Sequence, residues 1–320
     1  MNQYDVAPLE GITGYVFRNV HHRYFPGVRK YYIPFIEPKP KAKKIFTGRE
    51  MGYILPEHNE GIPVVPQILT NKWEDFLWTA EHLKNYGYTE VNWNVGCPAK
   101  TVVSKNRGSG FLAFPDEIDE FLCRVFEKTN LKISVKTRIG KEDPEEFDRL
   151  LEIYEKYPLE ELVVHPRTQK DFYGNIPNLE VFAKAAACRK FPVVYNGDIT
   201  DRQDLERIQM RFPDITCYMM GRGVLRNPQL TENLQKNTLP DKQKIWNFMK
   251  ELEESYSTEL SGETVVLFKM KEIWCYMIKL FEDPGKLSGK LKKAKRLSDY
   301  ELAAKNIFEE CQIKEQHTEL

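Results

Sequence analysis

Short apolar runs recur along the first two-thirds of the chain, and most are followed by a stretch in which apolar residues return every three or four positions. The runs predict strands near Asp5–Leu9, Lys30–Ile36, Val64–Leu69, Glu90–Val95, Ile133–Ile139, Glu161–His165, Pro192–Asn196 and Thr216–Met220. Most are rich in β-branched or aromatic residues and apolar at nearly every position, as strands buried on both faces of a parallel sheet are. The intervening periodicity predicts helices over Lys72–Tyr86, Pro115–Lys128, Pro144–Lys156, Leu179–Cys188 and Arg202–Arg211. Pro115 and Pro144 stand where helices begin, which suits a residue with fixed φ and no N–H. Thr200–Asp201 reads as a cap. Alternating βα units in this number predict an α/β fold, a closed (β/α)8 TIM barrel, with an open doubly wound sheet as the alternative. The stretch Glu37–Ile62, with Lys39, Lys41, Lys43 and Lys44 among several Pro and Gly residues, reads as a long βα loop with some local structure. It is either functional or a solvated excursion.

Past Asn237–Asp241 the pattern is helical only: Lys242–Leu260, Thr264–Leu280, a short piece around Leu287–Lys295, and Ser298–Gln312. Asp283-Pro284-Gly285 reads as a turn. Short connections between four helices predict a C-terminal all-α helical bundle. The expected division is therefore a barrel domain over 1–237 and a helical domain over 238–320. Composition is that of an ordinary globular chain, with 41% hydrophobic and 29% charged residues. Lys plus Arg and Asp plus Glu number 47 each, so any basic surface must come from local segregation of charge. The six cysteines include no Cys-x-x-Cys pair and none has a nearby His at zinc spacing, which argues against a metal site. With no apolar signal region and no membrane-spanning run, free cysteines in a cytoplasmic protein are expected.

Active sites of such barrels lie at the C-terminal ends of the strands. Here those ends carry Ala7-Pro8-Leu9-Glu10-Gly11, Gln67, Asn94-Val95-Gly96-Cys97-Pro98, Lys136 with Arg138, His165 with Arg167, Asn196-Gly197-Asp198, and Gly221-Arg222-Gly223. One polar residue inside an apolar run is usually a satisfied core group; repetition at one rim points to a shared ligand. Gly197 and Gly221 follow the seventh and eighth strands, the common phosphate position, where Arg222 can neutralise charge. Gly108-Ser109-Gly110-Phe111-Leu112-Ala113 matches a dinucleotide-binding pattern in letters. It does not directly follow a strand, so a flexible loop beside the site is expected instead.

At these residues the chain resembles the tRNA-dihydrouridine synthase family of FMN enzymes. The resemblance runs over residues 5–235. It is carried by Asn94-x-Gly96-Cys97-Pro98 with Val102 and Gly108-x-Gly110, by Val135-Lys136-x-Arg138-x-Gly140, by Val164-His165-x-Arg167-Thr168, by Asn196-Gly197-Asp198, and by Met220-Gly221-Arg222-Gly223 with Asn227-Pro228. Leu9, Tyr195, Pro166 and the Tyr31–Phe35 stretch depart from the family's usual residues. The resemblance implies that Pro8, Leu9, Gln67, Lys136, His165, Asn196, Gly197, Asp198, Gly221 and Arg222 contact FMN. It implies that NADPH is the transient reductant, that a hydride passes to C6 of uracil, and that Cys97 protonates C5. A thiol, with an ordinary pKa near about 8.5, stays mostly protonated at neutral pH and can donate.

A uridine inside folded RNA must be flipped out to reach a barrel mouth, so basic contacts to the surrounding backbone are required. Lys286, Lys290, Lys292, Lys293, Lys295 and Arg296 form a dense basic run, with Lys269, Lys271 and Lys279 on the preceding helix. Lys100 and Arg107 flank the Cys97 loop. Together with Asn94 and Arg167 they are the expected substrate-RNA residues: Lys286, Lys290, Lys292, Lys293 and Arg296 in the tail, Asn94, Lys100, Arg107 and Arg167 in the barrel. The partner expected is tRNA, with no membrane and no obligate protein partner. Two other classes stay open: a flavin barrel reducing a free pyrimidine, and a non-catalytic RNA-binding barrel.

Overall fold

A computed structural model describes residues 2–314, so the end of the predicted tail, 315–320, lies outside the described residues. The chain forms two compact units, each assembled from separated stretches. Among the described residues, the first holds 2–8, 29–197 and 208–219; the second holds 9–28, 198–207 and 220–314.

The first unit is built on one parallel sheet. Its strands are β1 (Gln3–Val6), β2 (Lys30–Tyr32), β3 (Val64–Val65), β4 (Gln67–Ile68), β5 (Glu90–Val95), β6 (Lys132–Arg138), β7 (Leu162–His165), β8 (Val193–Tyr195) and β9 (Cys217–Met220). Hydrogen bonding runs in the order β3-β2-β1-β9-β8-β7-β6-β5-β4. β3 and β4 are two halves of one strand, the predicted Val64–Leu69 run, divided at Pro66, which has no N–H to give. The Pro66 carbonyl still accepts from the Asn92 amide at 2.8 Å. With β3 bonded to β2 and β4 to β5, the circle closes as a (β/α)8 barrel, not as an open sheet.

Residues two apart along a strand share a face. Inside the barrel this places Ala7, Tyr32, Val65, Val163, Val194 and Met219 together in a buried apolar tier. Below it, at the strand starts, lie Asp5, Lys30, Glu90 and Glu161; above it, at the strand ends, lie Gln67, Asn94, Lys136 and His165. Helices Trp73–Asn85, Pro115–Lys128, Glu146–Tyr154 and Leu179–Ala186 follow their strands within a few residues of the predicted bounds. The Glu37–Ile62 stretch contains helix Gly48–Ile54, fixed by a capping box: the Thr47 hydroxyl accepts from the Glu50 amide, and the Glu50 carboxylate accepts from the Thr47 amide at 2.7 Å.

The second unit is helical. Tyr15–Tyr24 clusters here with the tail helices Lys242–Glu259, Glu263–Met277, Gly285–Lys293 and Leu297–Glu310. Tyr15–Tyr24 buries polar residues among aromatic rings: His21 stacks on Phe17 with centroids 5.5 Å apart and meets the edge of Phe248 at 6.1 Å. Burial drives the His21 imidazole neutral, pushing its pKa down to about 3, and its Nε2 is 2.9 Å from the Pro228 carbonyl. The predicted turn at Asp283–Gly285 takes positive φ at Asp283 (38°) and Gly285 (36°). Among the described residues, no helix is long and apolar enough to cross a membrane.

Candidate active site

In the first unit, the β5 end shapes the loop that carries Cys97. The Asn94 side-chain oxygen accepts from the backbone amides of Gly96 at 3.1 Å and Cys97 at 3.0 Å. The Cys97 carbonyl accepts from the amide of Ser109 at 3.0 Å and from its hydroxyl at 2.9 Å. Gly108 has φ +54°, and a Cβ there would lie 2.6 Å from the Cys97 carbonyl oxygen. The Gly108–Ala113 segment is thus not the loop expected from its not following a strand. It is a 3-10 helix with Gly108 through Leu112 buried, packed against the Cys97 backbone because only glycine allows so close an approach. Cys97 is in no disulfide and is half-buried.

β6 alternation brings Arg138 to the same interior face as Lys136. Its guanidinium donates to the carbonyls of Gly96 at 2.9 Å and Thr168 at 2.8 Å, and lies 5.4 Å over the Tyr173 ring. Among the described residues, Lys136 has no hydrogen-bond acceptor, and neither cation forms an ion pair with a carboxylate. Burial, with the neighbouring Arg138 charge added, pushes the Lys136 ammonium down to about 7. Burial likewise brings Arg138 down to about 10. Arg138 was visible among the rim residues and its i+2 spacing from Lys136 was the signal, yet no role had been attached to it.

The other predicted residues fall as follows. His165 is buried, with Nε2 2.9 Å from an Arg167 nitrogen. Arg167 is buried too; it donates to the Gly174 and Asn175 carbonyls at 2.7–3.0 Å, organising the loop after β7. Asn196 is buried and its amide donates to the Met219 carbonyl at 2.8 Å. Gln67 is fully buried, its amide donating to Asn92 at 2.8 Å and accepting from Asn94 at 2.6 Å. A Cβ on Gly197 would run into the Tyr195 hydroxyl, so the unusual tyrosine at the end of β8 already requires glycine there. Pro8 is half-buried. Lys100 is exposed, and Arg107 is half-buried 3.5 Å from the Glu37 carboxylate.

In the second unit, Leu9 is half-buried and its amide donates to the Thr13 hydroxyl at 2.8 Å. Arg222 pairs with Asp198, both partly exposed, and Gly221 precedes the short helix Arg222–Arg226. Gly223 packs against the Ile199 carbonyl with no room for a Cβ. Lys286, Lys290, Lys292, Lys293, Lys295 and Arg296 are all exposed, on and just after helix Gly285–Lys293. Lys271 and Lys269 are engaged within the unit instead, donating to the Ala294 and Gly11 carbonyls.

The family model for dihydrouridine synthases matches residues 5–311 of this chain. A tRNA-dihydrouridine synthase B of Pasteurella multocida is 27% identical over 231 residues, covering 72% of this chain and 68% of that protein. A probable tRNA-dihydrouridine synthase of Staphylococcus aureus is 29% identical over 234 residues, covering 70% and 68%. Among solved structures, a variant of NCR from Zymomonas mobilis superposes with a TM-score of 0.52 at 12% identity, covering 77% of this chain and 90% of that one; the likeness is one of fold. With a family match along nearly the whole length, on a barrel whose strand ends gather Cys97, Lys136 and His165, the chain belongs to the dihydrouridine synthase family.

Proposed function

We propose that this chain is a tRNA-dihydrouridine synthase that reduces the C5–C6 bond of specific uridines in tRNA, with FMN bound, NADPH as transient reductant and Cys97 as proton donor. The observation that carries the reading is a half-buried thiol, on a loop fixed by backbone hydrogen bonds, together with a buried Arg138 and a half-buried Lys136 that have no carboxylate partner among the described residues. Such cations are costly to bury without an anion, so they fit a ligand that becomes negative on reduction.

FMN, when bound, supplies the hydride. Lys136 favours negative charge beside it, with Arg138 behind. His165, Asn196 and Gln67 offer ring-edge hydrogen bonds, and Pro8 and Leu9 supply apolar contact. Gly197, Asp198, Gly221 and Arg222 are assigned to the phosphate, with Asp198 orienting the Arg222 guanidinium. Cys97, its backbone fixed from both sides, holds a proton for C5 of the flipped base. Asn94, Lys100, Arg107 and Arg167 serve the RNA around it. Lys286, Lys290, Lys292, Lys293 and Arg296 bind phosphates, through a 238–320 domain dedicated to tRNA in the cytoplasm. The relatives' names, which specify tRNA, support that substrate.

Mass spectrometry of tRNA from cells with and without this gene tests the reading. Loss of dihydrouridine at defined positions is expected. Unchanged tRNA, together with turnover of free uracil by the purified chain, would overturn it. Charge reversal at Lys292 and Lys293 should weaken tRNA binding most at low salt.

A further inference from the structure

The apolar middle tier of the barrel is broken on one side only. Where the other strands contribute Ala7, Tyr32, Val65, Val163, Val194 and Met219, β5 and β6 contribute Asn92 and Ser134, both fully buried. Burying an amide and a hydroxyl in such a tier is costly unless each finds partners. Here they complete a continuous chain of hydrogen bonds from the barrel floor to the Cys97 loop. The Ser134 hydroxyl donates to the Glu90 carboxylate at 2.9 Å. The Asn92 amide nitrogen donates to Ser134 at 3.0 Å, Gln67 donates to Asn92 at 2.8 Å, and Asn94 donates to Gln67 at 2.6 Å. Asn94 then accepts from the Gly96 and Cys97 amides.

Every bond in this chain donates in the same direction, and the two ends force that direction independently. An ionised carboxylate only accepts, so Ser134 must spend its proton on Glu90 and offer its lone pairs to Asn92. Asn92 must then turn its nitrogen down and its oxygen toward Gln67, and so on upward. From the other end, backbone amides only donate, so Asn94 must present its oxygen to the loop and its nitrogen to Gln67. Lys30 donates to both Glu90 oxygens, at 3.0 and 2.8 Å, and so favours the anion, against the burial that raises this carboxyl above its ordinary value. A primary amide is nearly symmetric in shape, and packing alone would leave its two orientations close in energy. A fixed charge at the base removes that degeneracy for three amides in series.

We propose that Glu90, acting through Ser134 and Asn92, fixes which way the Gln67 and Asn94 amides point, making these three residues positioning residues for the Cys97 loop. The proposal deepens the functional reading above and rests on it for its link to chemistry. The relay itself is testable without flavin or tRNA.

The test uses the full chain with Asn92→Leu and Asn92→Asp, reading hydrogen exchange at the Gly96 and Cys97 amides. Leucine fills the space but offers Gln67 no acceptor; aspartate keeps an acceptor facing Gln67 and can take the Ser134 proton. The relay predicts exchange roughly five- to tenfold faster in Asn92→Leu and within about twofold of wild type in Asn92→Asp. A role in packing predicts the reverse order, because the apolar variant suits its surroundings and the charged one does not. Should Asn92→Leu fail to fold, Ser134→Ala, which leaves the floor charges in place, is expected to accelerate exchange in its stead. Equal exchange in the Leu and Asp variants, or faster exchange in Asp, overturns the proposal. With tRNA as substrate, Asn92→Leu should lose reduction of the RNA while retaining oxidation of NADPH, and Asn92→Asp should restore it. Wild-type RNA reduction by a variant whose loop exchange has risen would refute the positioning role. A wild-type chain that reduces no tRNA yet shows the predicted exchange pattern would refute the functional reading and leave the relay standing.

Discussion

At the floor of the barrel Arg29 donates to Asp5 at 2.8 Å and meets Glu161 at 2.7 Å, while Lys30 lies 2.8 Å from Glu90 and 3.3 Å from Glu161. At the mouth of the same cylinder Lys136 and Arg138 share a face, and neither has a carboxylate partner among the described residues. The floor is a closed electrostatic account. Burial works against ionisation of Glu161, but Arg29 and Lys30 more than offset it and hold its carboxyl below the usual range. Burial outweighs Arg29 at Asp5 and pushes that carboxyl up to about 6, as befits three carboxylates sharing two cations. The mouth is open: burial depresses both cations, and among the described residues no carboxylate pairs with either to offset it. Buried charge that is paired within the fold serves structure, whereas buried charge left unpaired points to a ligand.

The largest expected effects separate the two ends by kind. Cys97→Ala at the mouth should lower the rate of tRNA reduction by about 10²–10⁴ while NADPH oxidation continues. Its urea midpoint should barely move, since it removes one half-buried sulfur. A variant that modified tRNA at the wild-type rate would dismiss Cys97 as the acid. Arg29→Met at the floor should cost about 3–5 kcal/mol of stability, because Asp5 and Glu161 lose their shared partner. A shift under about 1 kcal/mol would mean that the floor is no more paired than the mouth, and the contrast would collapse.

Lys136→Met sharpens the contrast at smaller magnitude. The same change from cation to thioether that unfolds the floor should leave the flavin-free chain as stable as wild type, or about 1 kcal/mol more stable, since a half-buried ammonium without an acceptor opposes folding. Flavin retention should fall in the same variant. Destabilisation comparable to that of Arg29→Met would show that Lys136 has a structural partner after all.

How much of this was legible beforehand follows from what each feature depends on. Glu90–Val95 and Pro115–Lys128 match their predicted bounds because local signals, β-branched alternation and a helix-starting proline, agree with the tertiary packing. The motif residues Cys97, Lys136 and His165 were readable because strand ends in a barrel share one rim. Helix Tyr15–Tyr24 escaped because His21 and Arg18, polar in any periodicity count, are buried by tertiary contacts. The helix at Gly48–Ile54 has a local signal, Thr47 three residues before Glu50, set among Pro and Gly residues that favour a loop. The Asn92–Ser134 seam could not be read at all. It exists only when β4, β5 and β6 stand side by side, with Gln67 paired in register with Asn92 and Asn92 with Ser134.

The last effect is the most specific to the mouth, because it concerns only the titration of one ammonium. The pKa of Lys136 in the folded chain is about 7, below its ordinary value of 10.5. Below pH 7 the folded and unfolded chains are both protonated there, and the full cost of the unanswered charge is present. Between pH 7 and about 10.5 the unfolded chain binds more protons at this site than the folded one, so stability should rise with pH. The rise cannot exceed about 1.4 kcal/mol per pH unit. Urea denaturation of flavin-free protein between pH 7 and 9, wild type against Lys136→Met, isolates it: the wild-type curve should gain on the variant as pH increases. Subtracting the variant cancels the floor, where Asp5 contributes the opposite sign, stability being lost as pH rises through about 6. Parallel curves would mean that the ammonium is already compensated, and with that the argument for an anion above Lys136 would lose its physical basis.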